Sequence, residues 1–227
     1  MAGRPPRSAF EELVCAFEGN RVFAHLHPYD LYRAWLEAVW AFLNAAHDPA
    51  GFRERLDRYT RDQGEEFGRL LGLYTDAVGA APFRDLLGEL FMRLDVNSAR
   101  AGQYFTPMSI AEMMARMQFD RTDFERLVAE KGCVTVCDPA VGSGVMLLAY
   151  AKVVHEALGR PGLAKVRFYG ADIDERCVNM CRIQLRVNGL DAFGRIAGTV
   201  GTLEKSTPAQ DVTLDPGKQL KLPGIAA

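Results

Sequence analysis

The sequence predicts an α/β fold in which a helical N-terminal region precedes a parallel sheet with crossover helices. Three observations predict it. Apolar residues recur at helical spacing through the first ninety-odd positions. After Gly132 the pattern changes to short apolar runs, the first two of which end at aspartates. Those runs alternate with longer segments of helical period, as strand-helix-strand units do.

In the N-terminal region, residues 1–97, Leu31, Trp35, Val39, Phe42 and Leu43 form one apolar stripe. They predict a helix over residues 29–47, opened by Pro28 and Asp30 and stopped by Asp48-Pro49. A second long helix is expected after Pro49, burying Phe52, Leu56, Tyr59, Phe67, Leu70, Leu71 and Tyr74, with Gly64 as an interruption. Its other face, dense in Arg, Asp and Glu, reads as solvated surface. A third helix is expected over 82–94. The small polar stretch 97–102 reads as loop. A helix over 108–119 follows, with Thr106 as its cap and Pro107 at its first position.

Residues 98–205 form the predicted α/β core. A strand is expected over 134–137, then a glycine-containing turn over 140–144 and a helix over 145–158. A second strand over 166–171 ends at Asp172-Ile173-Asp174, a helix follows over 175–187, and a third strand is expected over 196–203. Residues 206–227 read as an irregular tail or a degenerate fourth strand.

Composition bounds the function. Hydrophobic residues make up 48% and charged residues 25%, an ordinary globular balance. The formal net charge of -2 carries no basic surplus of the kind a stand-alone DNA binder shows. No signal peptide and no membrane-length apolar run are visible. Five cysteines, an odd number in apolar contexts, fit a reduced cytoplasmic setting. Cys133 and Cys137 lie about 13 Å apart along a strand and cannot share a metal ion. Cys177 and Cys181 are helix neighbours with no histidine near them in sequence, so all four read as core thiols.

The strongest constellation for chemistry is the turn Asp138-Pro139-Ala140-Val141-Gly142-Ser143-Gly144 between strand and helix. Glycines there let a ligand approach main-chain N–H groups at a helix start. A structural turn alone would look the same. Asp172, at the next strand end, is placed to accept hydrogen bonds from ribose hydroxyls, while Asp174 is the better helix cap. Together they indicate a nucleoside-containing cofactor. Leu147 stands where the dinucleotide fingerprint would carry its third glycine. A third element, Gly102-Gln103-Tyr104-Phe105-Thr106-Pro107, reads as a lid over an apolar or sulfur-bearing group, or as a hydrophobic staple with a cap.

The segment 102–107, followed by 138–144, resembles N6-adenine DNA methylases, specifically the modification subunit of type I restriction-modification systems. The stretch Phe83-Arg84-Asp85-Leu86-Leu87-Gly88-Glu89-Leu90-Phe91 and Asp172-Ile173-Asp174 resemble the same family. The resemblance implies a partial Rossmann-like, S-adenosylmethionine-dependent methyltransferase sheet. It implies that Phe105 and Thr106 contact the methionine end of S-adenosylmethionine, with Gln103, Tyr104 and Pro107 shaping that pocket. Gly142, Ser143 and Gly144 would admit the cofactor to the backbone, with Pro139 in the same turn. Asp138 would lie near its amino group, Asp172 would bind the ribose and Ile173 would pack on the adenine.

The family's catalytic motif is Asn/Asp-Pro-Pro-Tyr/Phe, whose polar groups hold the target amine and whose ring stacks on a flipped base. No Asn-Pro-Pro or Asp-Pro-Pro occurs in the chain, which reads as truncated before that motif. Asp215 and Pro216 stand as a degenerate candidate, with Gly217-Lys218 where proline and an aromatic belong. The expectation is an S-adenosylmethionine-binding, adenine-N6 methyltransferase-like protein acting on DNA with a specificity subunit or second polypeptide, in a homo- or hetero-oligomer. The alternatives are an inactive cofactor-binding regulator or decoy, and one part of a split enzyme. Lacking a fourth strand, the strand over 134–137 would present an open edge.

Overall fold

The computed structural model describes residues 7–94 and 106–190, and the backbone of 192–196. Among the described residues, seven helices precede the first strand: α1 (Ala9–Glu18), α2 (Pro28–Leu43), α3 (Pro49–Leu56), α4 (Arg61–Ala80), α5 (Leu86–Leu94), α6 (Met108–Gln118) and α7 (Arg121–Lys131). Then come β1 (Val134–Asp138), α8 (Val145–Leu163), β2 (Val166–Asp172), α9 (Glu175–Val187) and β3 (Ala192–Ile196). The strands are parallel in the order β1-β2-β3, with Val136 opposite Phe168 and Phe168 opposite Ala192.

Local chemistry sets the helix limits. Pro28 opens α2, and the Nδ1 of His27 accepts the Tyr29 amide hydrogen as its cap. The long helix expected after Pro49 is two helices. The break lies at Thr60, not Gly64, because Thr60 and Gln63 form a reciprocal capping box that starts α4. The third helix begins at Leu86 rather than residue 82, because Asp85 accepts the Gly88 amide hydrogen and caps α5. Ahead of it Phe83 holds φ at 63°, a conformation that costs a non-glycine residue about 1–3 kcal/mol. Its buried ring and the bond from its N–H to Asn188 Oδ1 at 2.8 Å hold it there. Thr106 does not cap α6. Pro107 is the residue flanking the helix, and no side chain caps it. Helix α7, which the sequence reading passed over, is capped by Asp120 and closed by Gly132.

In the α/β half, α9 spans the residues expected. Helix α8 breaks at Gly159, so its straight part ends where the sequence placed its end. The third strand lies earlier than the expected 196–203, because Asn188 and Gly189 end α9 and return the chain at once to the sheet. Residues 197–203 lie outside the described residues, as do Asp215 and Pro216.

Two large cores form. One gathers α1, α2, α4 and α5 around Trp35, Tyr32, Tyr74 and Phe17, and takes Cys177, Met180 and Ile183 from α9. The other lies between the sheet and α7, α8 and α9, with Val134, Phe168, Leu148, Val154, Cys181 and Leu185. Strand alternation turns Val134, Val166 and Phe168 into that core. Thr135, Cys137 and Tyr169 are exposed on the opposite face, so Cys137 is not a core thiol, whereas Cys177 and Cys181 are buried. Among the described residues β1 pairs only with β2, and no helix is long and apolar enough to cross a membrane.

Candidate functional site

Because β1 and β2 are adjacent and parallel, their carboxyl ends open on the same side of the sheet. The chain leaving β1 turns back across the end of β2. The Val141 N–H donates to the Ala171 carbonyl at 2.9 Å, and the Gly144 N–H closes the turn on the Val141 carbonyl at 2.8 Å. Asp172 Oδ2 accepts the Gly142 N–H at 2.9 Å, and its Oδ1 accepts the Asp174 N–H at 2.9 Å. Asp172 therefore already holds two backbone donors. Its carboxylate ties the glycine turn to the end of its own strand, each oxygen keeping acceptor capacity for a further donor. Asp174 caps α9 by accepting the Arg176 N–H. Asp138 Oδ1 accepts the Ala140 N–H at 3.0 Å. Ile173, between the two aspartates, is 88% exposed.

Two glycines make this packing possible. Gly144, at φ 98°, starts α8 directly against α9, where a Cβ would lie 3.0 Å from the Cys181 Sγ and 3.2 Å from its Cα. Gly170 on β2 leaves room for Val141, whose Cγ2 would lie 2.8 Å from a Cβ there. Cys181 thus lies beneath the turn. Burial, followed by the Asp138, Asp85 and Asp172 carboxylates, pushes its thiol far up.

Behind the turn is a buried polar cluster that the sequence reading missed. Ser143 Oγ donates to Asp85 Oδ2 at 2.6 Å. The Gln184 amide nitrogen donates to Asp85 Oδ1 at 2.7 Å and to the Ser143 carbonyl at 2.8 Å. Gln184 Oε1 accepts the Leu87 N–H at 3.1 Å. Burial raises the Asp85 carboxyl above the usual carboxylate range, and the bonds from Ser143, Gln184 and Gly88 offset this only in part. The sequence held one signal: Gln184 interrupts the apolar side of α9 between Ile183 and Leu185.

Helix α6 packs on α8 through Ala111 and Ala115 against Val145, Ala149 and Val153. The pairs Glu112–Lys152 and Arg116–Glu156 advance together, so the two helices run parallel. Thr106 and Pro107 therefore lie at the same end of the layer as the glycine turn. Gln103, Tyr104 and Phe105 lie outside the described residues.

Residues 84–215 match the family model described as N-6 DNA Methylase. The chain belongs to the N-6 DNA methylase family. The match starts at Arg84, beside Asp85, and takes in both strand ends of the site. This family member is 31% identical over 90 residues to the type I restriction enzyme MpnII methylase subunit of Mycoplasma pneumoniae, covering 40% of the chain and 14% of that protein. A solved Listeria monocytogenes protein, described as a class I S-adenosylmethionine-dependent methyltransferase, aligns at TM-score 0.49 and 15% identity, over 83% of this chain and 52% of that one. The type I restriction-modification methyltransferase subunit from Streptococcus thermophilus aligns at TM-score 0.36 and 20% identity, over 88% and 45%. The chain thus spans about half the length of these solved structures.

Proposed function

We propose that this N-6 DNA methylase family chain binds S-adenosylmethionine at the paired strand ends and acts as the cofactor-binding part of a DNA adenine-N6 methyltransferase in a restriction-modification system. The observation that carries the proposal is the Asp172–Gly142 bond, which joins an acidic strand end to a glycine turn at a helix start. The chemistry of the residues fits the ligand. Asp172 retains acceptor capacity for two ribose hydroxyls. Exposed Ile173 offers an apolar surface to an adenine ring. Asp138 adds negative charge for an amino group, and the backbone of Gly142, Ser143 and Gly144, with Pro139 shaping the turn, admits the ligand. Gln103, Tyr104, Phe105, Thr106 and Pro107 would close over the methionine end.

When bound, S-adenosylmethionine supplies a methyl group on a sulfonium that an adenine amine can attack. The chain's residues hold and orient that donor. DNA is the proposed substrate, reached with a specificity subunit or second polypeptide; the MpnII relative is itself named as a subunit of a restriction enzyme. The five free cysteines suit a reducing cytoplasm. Calorimetry with S-adenosylmethionine and S-adenosylhomocysteine tests the site. Saturable uptake that Asp172→Ala abolishes is expected, and a folded sample that takes up neither molecule overturns the reading.

One feature of the residues present favours a second reading: Asp215-Pro216 is followed by Gly217-Lys218, which offers no ring to stack on a base. On that reading the chain binds the cofactor without transferring its methyl group, as a regulator or as one part of a split enzyme. A labelled-methyl transfer assay on unmethylated DNA separates the cases. Transfer by the chain alone contradicts the second reading, and transfer only with a second polypeptide identifies the split form.

A further inference from the structure

The cluster behind the turn joins the helical region to the ligand side of the sheet. Asp85 is 4% exposed, and among the described residues no cation pairs with it. A buried unpaired carboxylate is expensive, and an apolar side chain would fill the space at less cost. Its three bonds show what it holds. Oδ2 takes the Ser143 hydroxyl, while Oδ1 takes the Gly88 N–H and the Gln184 amide. The other hydrogen of that amide fixes the Ser143 carbonyl. With both its hydroxyl and its carbonyl hydrogen-bonded, Ser143 is held from the buried side, and with it the peptide plane between Ser143 and Gly144. Asp172 holds the same turn from the strand end.

We infer that Asp85 is a positioning residue for the ligand turn, acting through Ser143 and Gln184. The inference rests on the cofactor reading given above. The groups facing Asp85 are Ser143, Gln184 and Gly88 by hydrogen bond, Glu89 by charge, and the buried Tyr32, Tyr74 and Cys181.

The test uses the full chain with S-adenosylhomocysteine as probe, and compares Asp85→Ala, Asp85→Asn, Ser143→Ala and Tyr32→Phe. Tyr32 donates its hydroxyl to the Leu87 carbonyl at 2.9 Å, so Tyr32→Phe loosens the same α5 segment without touching the turn. Calorimetry gives the Kd, thermal melting gives the stability, and the amide signals of Gly142, Ser143 and Gly144 report the turn by NMR. Asp85→Ala should weaken binding about tenfold and move those amides, and Asp85→Asn should restore most of the affinity. Tyr32→Phe should lower the melting temperature with Kd unchanged. Should Asp85→Ala not fold, Ser143→Ala carries the same comparison. Equal Kd values for the wild type and the folded variants, or unmoved turn amides, overturn the inference. If the wild type takes up no probe, the cofactor reading fails, and the turn amides alone then decide the positioning role.

Discussion

The Asp172 carboxylate accepts the Gly142 amide hydrogen at 2.9 Å across the ends of two parallel strands. The same side chain accepts the Asp174 N–H, so one residue shapes two turns. Asp172→Ala should cost about 1–3 kcal/mol by stranding two backbone donors. It should also lower affinity for the proposed cofactor by roughly a hundredfold or more, since hydrogen bonds to a charged group are the strong ones. Urea unfolding checks the first effect and calorimetry the second. A variant with normal stability would show that the two bonds are replaced by water.

Stability should depend on pH through Asp85. Burial holds its folded-state carboxyl above the ordinary value, so the folded chain keeps a proton that the unfolded chain has already released. Its contribution is fully present below the ordinary carboxylate value. It falls as pH rises from there to the raised value, and is flat beyond. Asp85→Asn removes that portion of the slope. Unfolding free energies measured in steps across this window should diverge between the two proteins; parallel curves would rule the linkage out.

Two buried tyrosines should respond oppositely to loss of the hydroxyl. Tyr32 Oη has the Leu87 carbonyl as acceptor, whereas Tyr74 Oη, equally buried, has no partner among the described residues. Tyr32→Phe should destabilise by about 1 kcal/mol, and Tyr74→Phe should be neutral or stabilise by up to about 1 kcal/mol. Comparing the two melting temperatures with the wild type checks the pair, and a loss of similar size in both would contradict it.

Gly170→Ala should destabilise by roughly 1–3 kcal/mol, because its Cβ would lie 2.8 Å from the Val141 Cγ2. Val141→Ala removes the opposing methyl groups. The residue 141 Cβ would still lie 3.0 Å away, so the double variant should recover part of the loss, with a coupling energy of about 1 kcal/mol in a double-mutant cycle. Strict additivity would mean that the strain goes elsewhere.

Native-state alkylation should label Cys137 well before Cys177 and Cys181. Cys137 is exposed, whereas the other two are buried in α9 and desolvation disfavours the Cys181 thiolate. Timed mass spectrometry after iodoacetamide reads the order directly, and early modification of Cys181 would contradict the packing.

Where one residue type has one local use, the sequence was readable. Glycine and aspartate punctuate the α/β half so plainly that β1, β2 and α9 fall within a residue of expectation. Elsewhere two signals competed. Gly64 looked like the break in a long helix, but the Thr60–Gln63 box sets it four residues earlier. A third strand was expected over 196–203, whereas β3 follows directly on the end of α9. The paired strand ends were legible because Asp138, the glycines and Asp172 lie close to strand limits. Asp85 was not, because its partners Ser143 and Gln184 are 58 and 99 residues away and only the fold brings them together.

Helix α9 gives Cys177, Met180 and Ile183 to one core and Cys181 and Leu185 to the other. Neither core can melt without exposing apolar side chains of the same helix. Heating should therefore produce one sharp heat-absorption peak, and protease cutting should release no independently folded helical fragment. A chain built of two visibly different halves would then live or unravel as a single thermodynamic object.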